Sequence, residues 1–259
     1  MRFVVIALPR TGSTHLMTVL GTHPEIVSHG EVFHPNRIFL RWPGWPESRP
    51  HQLEKELEAL RQSDPVAFLD RIFEERFGRQ HVGFKIFNNQ NNEILERLIV
   101  DRSVAKIVLY RANALARYAS ALAARENRAW GPNKMQKTDR PLVLFRAQQF
   151  RKYHADQVAF YDRVLSRLHD LGQASLLIRY DELNNSRLLD RVAVFLGAAA
   201  GKFELGESFS ARGAQSITAR FKNPQAVQQF LEMQGWSNWA YESDLSFVPL
   251  IGPAESKSS

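Results

Sequence analysis

Several absences narrow the chemistry that is open to this chain. Its 259 residues contain no cysteine, which excludes thiolate catalysis, disulfides and zinc sites built on cysteine. No window approaches the roughly 20 consecutive apolar residues of a membrane-spanning helix. No long tract of basic residues occurs either, so we expect no nucleic-acid partner despite a net charge of +7.

What remains is the composition of an ordinary globular protein. Hydrophobic residues make up 44% of the chain and charged residues 24%, enough for a substantial core in one domain. The 34 lysines and arginines exceed the 27 acidic residues, which suits an anionic ligand without identifying it. The sequence opens on an apolar run rather than on a charged leader with a cleavage site, so we expect a cytoplasmic enzyme. Peripheral contact with a membrane and a homodimer both stay open.

The clearest pattern lies at the start of the chain, where an apolar run leads through a turn into a helix. Residues 3–8 predict a short buried strand, and the apolar spacing of residues 16–20 predicts a helix. A strand, a loop of small residues and a helix N-terminus together aim backbone N–H groups at an anion. We therefore predict a phosphate or sulfate cradle, with an ordinary tight connection as the alternative. Its residues are Pro9, Arg10, Thr11, Gly12, Ser13, Thr14 and His15.

This turn is not that of a nucleotide triphosphatase. The pattern of those proteins, G-x-x-x-x-G-K-[ST], places a lysine directly after its second glycine. With Gly12 on that glycine, Ser13 falls on the lysine and Ala7 on the first glycine. The positive charge lies before the glycine instead, at Arg10. A nucleotide kinase or other phosphotransferase is therefore the weaker alternative.

A later strand leads to a second candidate anion site. Residues 105–110 predict a strand that ends at Arg111, and a helix follows from about Asn113, a good N-cap residue. Ser120 lies within that helix, on a face with small residues that leave room for a ligand. Taken singly, Arg111 is explained as a surface charge and Ser120 as a filler residue. Together they repeat the architecture of the first site.

Two other segments carry candidate catalytic groups. The loop after a short strand at residues 26–27 contains Glu31 and His34, and chemistry tends to lie at the C-terminal ends of parallel strands. Its histidines and glutamates match no histidine-ligand spacing, so we predict no metal site there. Lys85 interrupts the apolar strand at residues 81–87. A buried lysine needs a partner such as a bound anion, and an edge strand with Lys85 facing water is the alternative.

Strands alternate with helices along the whole chain, without an internal repeat or a linker. This order predicts an α/β fold: a single three-layer domain over residues 1–252, with a mainly parallel central sheet flanked by helices and a P-loop-like core. We predict that residues 253–259 form a disordered tail. Further strands are predicted at residues 174–179, and helices at residues 51–62, 65–77, 93–100, 113–127, 141–171, 184–196 and 224–233.

Taken together, the motifs at residues 9–14 and at Arg111 and Ser120 resemble those of the sulfotransferase superfamily. In that family the first motif binds the 5′-phosphosulfate of 3′-phosphoadenylyl sulfate (PAPS), and the second binds its 3′-phosphate. Residues 30–33 and 82–85 also resemble the bacterial branch that contains the trehalose, nodulation-factor and lipopolysaccharide sulfotransferases. Residues 180–183, Tyr-Asp-Glu-Leu, match a further element of the family.

The resemblance implies in-line transfer of a sulfuryl group to a hydroxyl of a carbohydrate or glycolipid-type acceptor. It places the general base at Glu31, with His34 as the second candidate because the cytosolic enzymes of the family use a histidine. Arg10 and the cradle would stabilise charge on the departing phosphate, and Lys85 would help to hold the transferring sulfate. No metal is expected. A non-catalytic anion-binding protein is the remaining alternative, and only the net charge suggests it.

Overall fold

A five-stranded parallel sheet lies at the centre of the computed structural model, which describes residues 1–41, 51–126, 141–204 and 216–241. The strands lie in the order β2-β3-β1-β4-β5, so β1 is central and β2 and β5 are the edges. All four pairings are parallel. The strands are β1 (Arg2–Ala7), β2 (Ile26–Ser28), β3 (His81–Phe87), β4 (Val104–Tyr110) and β5 (Ser175–Arg179). The predicted α/β fold with a parallel sheet is confirmed.

Helices occupy most of the connections between these strands and the region after β5. They are α1 (Ser13–Leu20), α2 (His51–Ser63), α3 (Pro65–Glu74), α4 (Asn92–Val100), α5 (Ala114–Glu126), α6 (Ala147–Asp170), α7 (Ser186–Leu196) and α8 (Pro224–Gln234). Short 3-10 helices occur at Tyr180–Glu182, Thr218–Arg220 and Ser237–Ala240.

Side-chain caps explain where several helices begin. The Asp64 carboxylate accepts hydrogen bonds from the N–H groups of Val66 and Ala67, which begins α3 at its first-turn proline. Asn91 and Asn185 cap α4 and α7 in the same way. These polar residues are visible in the sequence, so the starts of these helices are predicted to within about two residues.

Two predicted helices are too long. The helix expected to reach residue 77 ends at Glu74, and Phe77 then takes a left-handed φ of 49° that no helix interior allows. The helical region expected from residue 141 begins only at Ala147 and is a single helix. The residues before it are extended, because Val143 forms a β-bridge with Phe221.

The chain divides into two compact units, each with its own core. The first consists of Met1–Tyr110 and Ser166–Phe209 and contains the whole sheet. The second consists of Arg111–Leu165 and Ser210–Ser259. The single domain expected over residues 1–252 stays a prediction, and the tail expected at residues 253–259 lies outside the described residues.

The core of the first unit holds the start of the chain rigidly. Every residue of β1 from Phe3 onward is buried, and α1 packs onto the same cluster through Leu16 and Leu20. The side chains of β4 and α7 complete this cluster, among them Ile107 and Val192. The turn between β1 and α1 is therefore anchored at both ends.

The core of the second unit is largely aromatic. Tyr118 of α5 lies at its centre, with its ring centroid 5.4 Å from that of Phe150 and 5.1 Å from that of Tyr153. Asn113 fixes the start of α5, because its side chain accepts from Ala116 N–H at 2.9 Å, as expected of an N-cap. The remaining buried rings include Phe145, Phe221, Phe230 and Trp239.

Candidate active site

The turn between β1 and α1 adopts an unusual backbone. Arg10 has a φ of 70°, in the left-handed region that few non-glycine residues occupy, and Gly12 follows with a φ of 82°. Thr11 is buried, and its hydroxyl donates a hydrogen bond to the Leu8 carbonyl at 2.8 Å, which closes the turn. Sparsely populated backbone conformations persist where the surrounding structure imposes them, and they cluster at functional sites.

Gly12 could not carry a side chain in this conformation. A Cβ atom there would lie 2.6 Å from Leu183 Cδ1 and 2.9 Å from Tyr180 Cδ2, well inside van der Waals contact. The 3-10 helix Tyr180–Glu182 and its C-cap residue Leu183 therefore pack directly against the turn. These four residues are the ones that resemble a family motif in the sequence. Its position explains why a glycine is needed here.

The N-terminus of α1 is suited to an anion. Gly12 is the N-cap residue and supplies no side-chain acceptor, and the first turn of α1 contains no acidic residue. Ser13 is buried and Thr14 is exposed at this end of the helix. The N–H groups and positive dipole end of a helix favour negative charge. Anion binding by this turn stays a prediction.

An ion pair between buried Lys85 and partly buried Glu31 joins the loop after β2 to the first turn of α1. Lys85 of β3 donates from its ammonium group to the Thr14 hydroxyl at 2.7 Å and lies 3.2 Å from Glu31 Oε1. The Lys85 side chain is 4% exposed and that of Glu31 is 19% exposed. Two of the predicted catalytic residues thus meet each other and the first turn of α1.

The edge-strand alternative for Lys85 is wrong. β3 lies inside the sheet, between β2 and β1, and the Lys85 side chain is buried rather than facing water. Burial lowers the pKa of the Lys85 ammonium, whereas the Glu31 carboxylate beside it raises that pKa. The sequence argument that a buried lysine needs a partner holds, and within the protein that partner is a carboxylate.

Gln90, in the turn after β3, completes the surroundings of Glu31. Its side-chain amide donates to Glu31 Oε2 at 2.8 Å, while its carbonyl oxygen accepts from Phe87 N–H at 3.1 Å. Each carboxylate oxygen of Glu31 therefore has its own donor. Sequence analysis did not single out Gln90. The only available signal was its place after the C-terminal end of a strand, where sites of α/β proteins lie.

The loop that carries Glu31 and His34 is held by Arg61 of α2. The Arg61 guanidinium donates to the carbonyls of Val32 and Arg37, each at 3.2 Å, and also to those of His34 and Pro35. The His34 ring packs edge-on against Phe39, and its Nδ1 accepts from Asn36 N–H at 3.2 Å. Arg61 is a second residue that sequence analysis missed.

The second predicted anion site lies entirely in the other compact unit. Arg111 and Ser120 are both nearly buried, at 7% and 9% exposed, and Arg117 of the same helix is 4% exposed. Gln157 of α6 joins the two arginines, since it accepts from Arg117 Nε at 2.8 Å and donates to the Arg111 carbonyl at 3.1 Å. Burial lowers the pKa of the Arg117 guanidinium, and the nearby charge of Arg111 acts in the same direction.

The predicted site residues are thus distributed over two separately described units. In the first unit Lys85 contacts both Glu31 and Thr14. Pro9 and Arg10 lie in the same turn, and burial lowers the pKa of His15 in the first turn of α1. Arg111 and Ser120 belong to the second unit.

Metal-ligand groups and membrane-spanning helices are both absent from the part of the chain that the structure describes. It contains no group of three or more histidine, aspartate or glutamate side chains arranged to hold a metal ion. Among its helices, none is long and apolar enough to cross a membrane.

The fold is that of an α/β protein with a parallel sheet and a tight turn between its central strand and its first helix. The chain belongs to the sulfotransferase family, whose sequence model matches residues 2–190. The predicted family resemblance is confirmed, and the chain is a sulfotransferase.

Two proteins are similar to this chain. The chain is 27% identical over 226 residues to nodulation protein H from Rhizobium tropici, a match that covers 85% of each protein. A solved structure, the sulfotransferase from Alicyclobacillus acidocaldarius, is 17% identical and superposes with a TM-score of 0.47. That match covers 90% of this chain and 97% of the other.

Proposed function

We propose that this protein transfers the sulfuryl group of PAPS to a hydroxyl of a carbohydrate or glycolipid-type acceptor. The family implies a sulfonate donor, and the cradle at residues 9–15 suits its charged end. A nodulation protein among the relatives agrees with the bacterial, nodulation-factor branch that the sequence resembles. The proposal includes a cytoplasmic location and no nucleic-acid partner.

The observation that carries the proposal is the contact chain from Glu31 through Lys85 to Thr14. It couples a carboxylate to the first turn of the helix at the cradle. A general base must lie close to the acceptor hydroxyl and to the group that is transferred to it. An anion bound at the N-terminus of α1 would lie beside Thr14 and Lys85. A carboxylate serving only to neutralise Lys85 would need no connection to the cradle.

In the proposed reaction the acceptor oxygen attacks the sulfur atom in line with the leaving phosphate. A new O–S bond forms, the bond between sulfur and the bridging phosphate oxygen breaks, and Glu31 takes the proton of the acceptor hydroxyl. Negative charge grows on the departing phosphate, and Arg10 with the N–H groups of Gly12, Ser13 and Thr14 would stabilise it. Removal of one such donor typically costs about 3 kcal/mol of transition-state stabilisation.

In this proposal Lys85 holds Thr14 and Glu31 together and also binds the transferring sulfuryl group. Its ammonium group has three N–H donors, of which Thr14 and Glu31 engage two. The third can bind an oxygen of the transferring sulfuryl group. Because the lysine is buried, its charge acts on that group with little screening by water.

Arg111 and Ser120 would bind the 3′-phosphate at the other end of the donor. Their near-complete burial fits a role in binding better than that of a surface charge and a filler residue. Arg117 of α5 adds a second buried positive charge to that of Arg111. Arg111→Ala and Ser120→Ala should therefore weaken binding of the bisphosphate product.

Ligand-induced stabilisation tests the donor. A ligand that binds only the folded state stabilises it by about 2.7 kcal/mol at 100 times its Kd. Adenosine 3′,5′-bisphosphate at that concentration should raise Tm by roughly 5–10 °C for a protein of this size. An unchanged Tm at saturating ligand would contradict PAPS as the donor. Activity should also persist in EDTA, because Ser13 stands where a magnesium-dependent phosphotransferase has its lysine.

Substitution of Glu31 tests the base. Glu31→Gln keeps the size of the side chain but removes the proton acceptor, so turnover should fall by at least about 100-fold while the bisphosphate still binds. His34→Gln is the matched control and should retain turnover. The opposite pattern, an active Glu31→Gln and an inactive His34→Gln, would transfer the role of base to His34.

A further inference from the structure

The side-chain amide of Gln90 is fixed at both ends. Its carbonyl oxygen accepts from Phe87 N–H at 3.1 Å, and its NH2 group donates to Glu31 Oε2 at 2.8 Å. The first bond decides which way the amide faces, since only its oxygen can accept from a backbone N–H. The NH2 group is thereby directed at the carboxylate.

The two carboxylate oxygens of Glu31 have different donors on different elements. Oε1 lies 3.2 Å from the Lys85 ammonium on β3, and Oε2 accepts from Gln90 in the turn that follows β3. Two donors at separate oxygens fix the plane of the carboxylate, which a single donor would leave free to rotate. Each oxygen keeps a lone pair that can accept a substrate proton.

We infer that Gln90 is a positioning residue that orients Glu31 for proton abstraction, an inference that rests on the proposed function. Glu31 belongs to a loop, and its side chain must be held in one orientation to act as a base. Displacement of a reacting group by about 1 Å can cost around 100-fold in rate. Gln90 acts through Glu31 and contributes no group to the reaction itself.

A purely structural role for Gln90 predicts a different result. The same side chain closes the turn after β3 through Phe87 N–H, and the Gln90 N–H donates to the Phe87 carbonyl at 3.2 Å. Gln90→Glu separates the two roles. A glutamate can still accept from Phe87 N–H, but it turns the donor facing Glu31 into a second negative charge. Gln90→Leu removes both interactions.

The experiment compares steady-state kinetics, unfolding and bisphosphate affinity for the full-length variants. Gln90→Glu and Gln90→Leu should each lower kcat by about 10- to 100-fold, with bisphosphate affinity within about twofold of that of the unchanged protein. Asn89→Ala, an exposed position in the same turn, is the control and should leave kcat unchanged. In a Glu31→Gln background, Gln90→Leu should cause less than about a twofold further loss, because the group it orients is already absent.

Three outcomes would overturn the inference. Gln90→Glu with unchanged kcat would show that the donor to Glu31 is not needed, even if Gln90→Leu fails to fold. A further loss in the Glu31→Gln background as large as that in the unchanged protein would assign Gln90 to the turn alone. Full turnover by Glu31→Gln would overturn both the proposed base and its positioning residue, whereas the first two outcomes leave the proposed function intact.

Discussion

At the scale of the single residue, Gly12 has a left-handed backbone conformation, and two side chains lie close to the position that a Cβ atom would occupy. Gly12→Ala should destabilise the protein by more than the roughly 1 kcal/mol that a left-handed conformation alone costs an alanine, because Leu183 and Tyr180 occupy the space of the new Cβ. Bisphosphate binding should fall with it. Urea unfolding and calorimetric titration measure the two effects.

Gly197 provides the matched control for this prediction. It has a similar φ, 73° against 82°, but nothing lies within 4 Å of the position of a Cβ atom. Gly197→Ala therefore reports the backbone cost alone. Equal losses at the two positions would mean that residues 180–183 move aside freely and do not constrain the cradle.

His29 should make stability depend on pH. The ring is fully buried, its Nδ1 accepts from Arg41 N–H at 3.2 Å, and its Nε2 lies 3.3 Å from the Glu75 carbonyl. Burial lowers the pKa of His29 to about 4, against the hydrogen bond to Glu75, which raises it, while the charge of Arg41 lowers it further. The unfolded chain therefore binds a proton between pH 6.5 and 4 that the folded protein does not. Stability should fall in that window as pH falls, by about 3 kcal/mol in total.

His29→Gln isolates this contribution. Glutamine can accept from Arg41 N–H and donate to the Glu75 carbonyl, but it does not titrate. The free energy of unfolding, measured in urea from pH 6.5 to 4, should lose most of this slope. His169→Gln, at an exposed position, serves as the control. Identical pH profiles for His29→Gln and the unchanged protein would contradict the prediction.

The sequence identified many of these residues but not their contacts. Gly12 and Lys85 stand out because their residue types are unusual in their local patterns, whereas Glu31 was singled out by the family resemblance and by its place in a loop after a strand. The contact between Glu31 and Lys85 joins positions far apart in the sequence, so no local pattern encodes it. Gln90 was missed because a glutamine in a polar turn has many explanations, and only its neighbours in space distinguish them.

At the scale of elements, α2 should support the active-site loop through Arg61. Arg61→Ala removes one guanidinium that donates to four loop carbonyls, and we expect a loss of about 1–2 kcal/mol of stability together with lower kcat. Arg61→Lys keeps the charge without the planar fork and should recover only part of the loss. Denaturant unfolding and steady-state kinetics provide the measurements.

Arg167 provides the control for this element. It forms an exposed ion pair with Glu96 at 2.8 Å, of a kind that contributes little, so Arg167→Ala should change stability by less than about 0.5 kcal/mol. If Arg61→Ala were as mild as Arg167→Ala, the loop would be held by its other contacts.

Most elements of the fold could be predicted, because their signals are local. Each predicted strand overlaps a strand of the sheet, since the short length of these apolar runs and the turn residues that flank them favour strands over helices. The start of α6 was predicted too early, because Val143 and its neighbours are spaced as in a helix. Their extended conformation depends on the bridge to Phe221, a distant segment that no local pattern reveals.

At the scale of the molecule, the proposal assigns one end of the donor to residues 10–15 and the other end to Arg111 and Ser120. Hydrogen exchange should therefore slow at residues 10–15 and also at residues 111–120 when adenosine 3′,5′-bisphosphate binds. Substitution of Arg111 by alanine should remove the second protection and weaken the first. Protection confined to residues 10–15 would contradict the assignment of the 3′-phosphate to Arg111 and Ser120.

The division into two units was not visible in the sequence. Domain boundaries are predicted from linkers and changes of composition, and neither occurs near residue 110 or residue 165. One boundary falls directly after β4, where a strand ends in any case, and another falls within α6, so a regular helix continues across it. The third lies outside the described residues. The units differ instead in their cores, one built around the sheet and the other around aromatic rings.

The ion pair of partly buried Glu31 and buried Lys85 has a consequence for engineering. Replacing a buried ion pair by apolar residues of similar size is often neutral or stabilising by about 1–4 kcal/mol. Removing only one partner is destabilising, because the remaining charge then has no partner. The double variant Glu31→Leu/Lys85→Met should therefore unfold at the same or a higher temperature than the unchanged protein and be inactive. Lys85→Met alone should be the least stable of the three proteins. Under the proposed function these charges serve turnover rather than the fold, so a search for thermostable variants that ignores activity would tend to remove the pair.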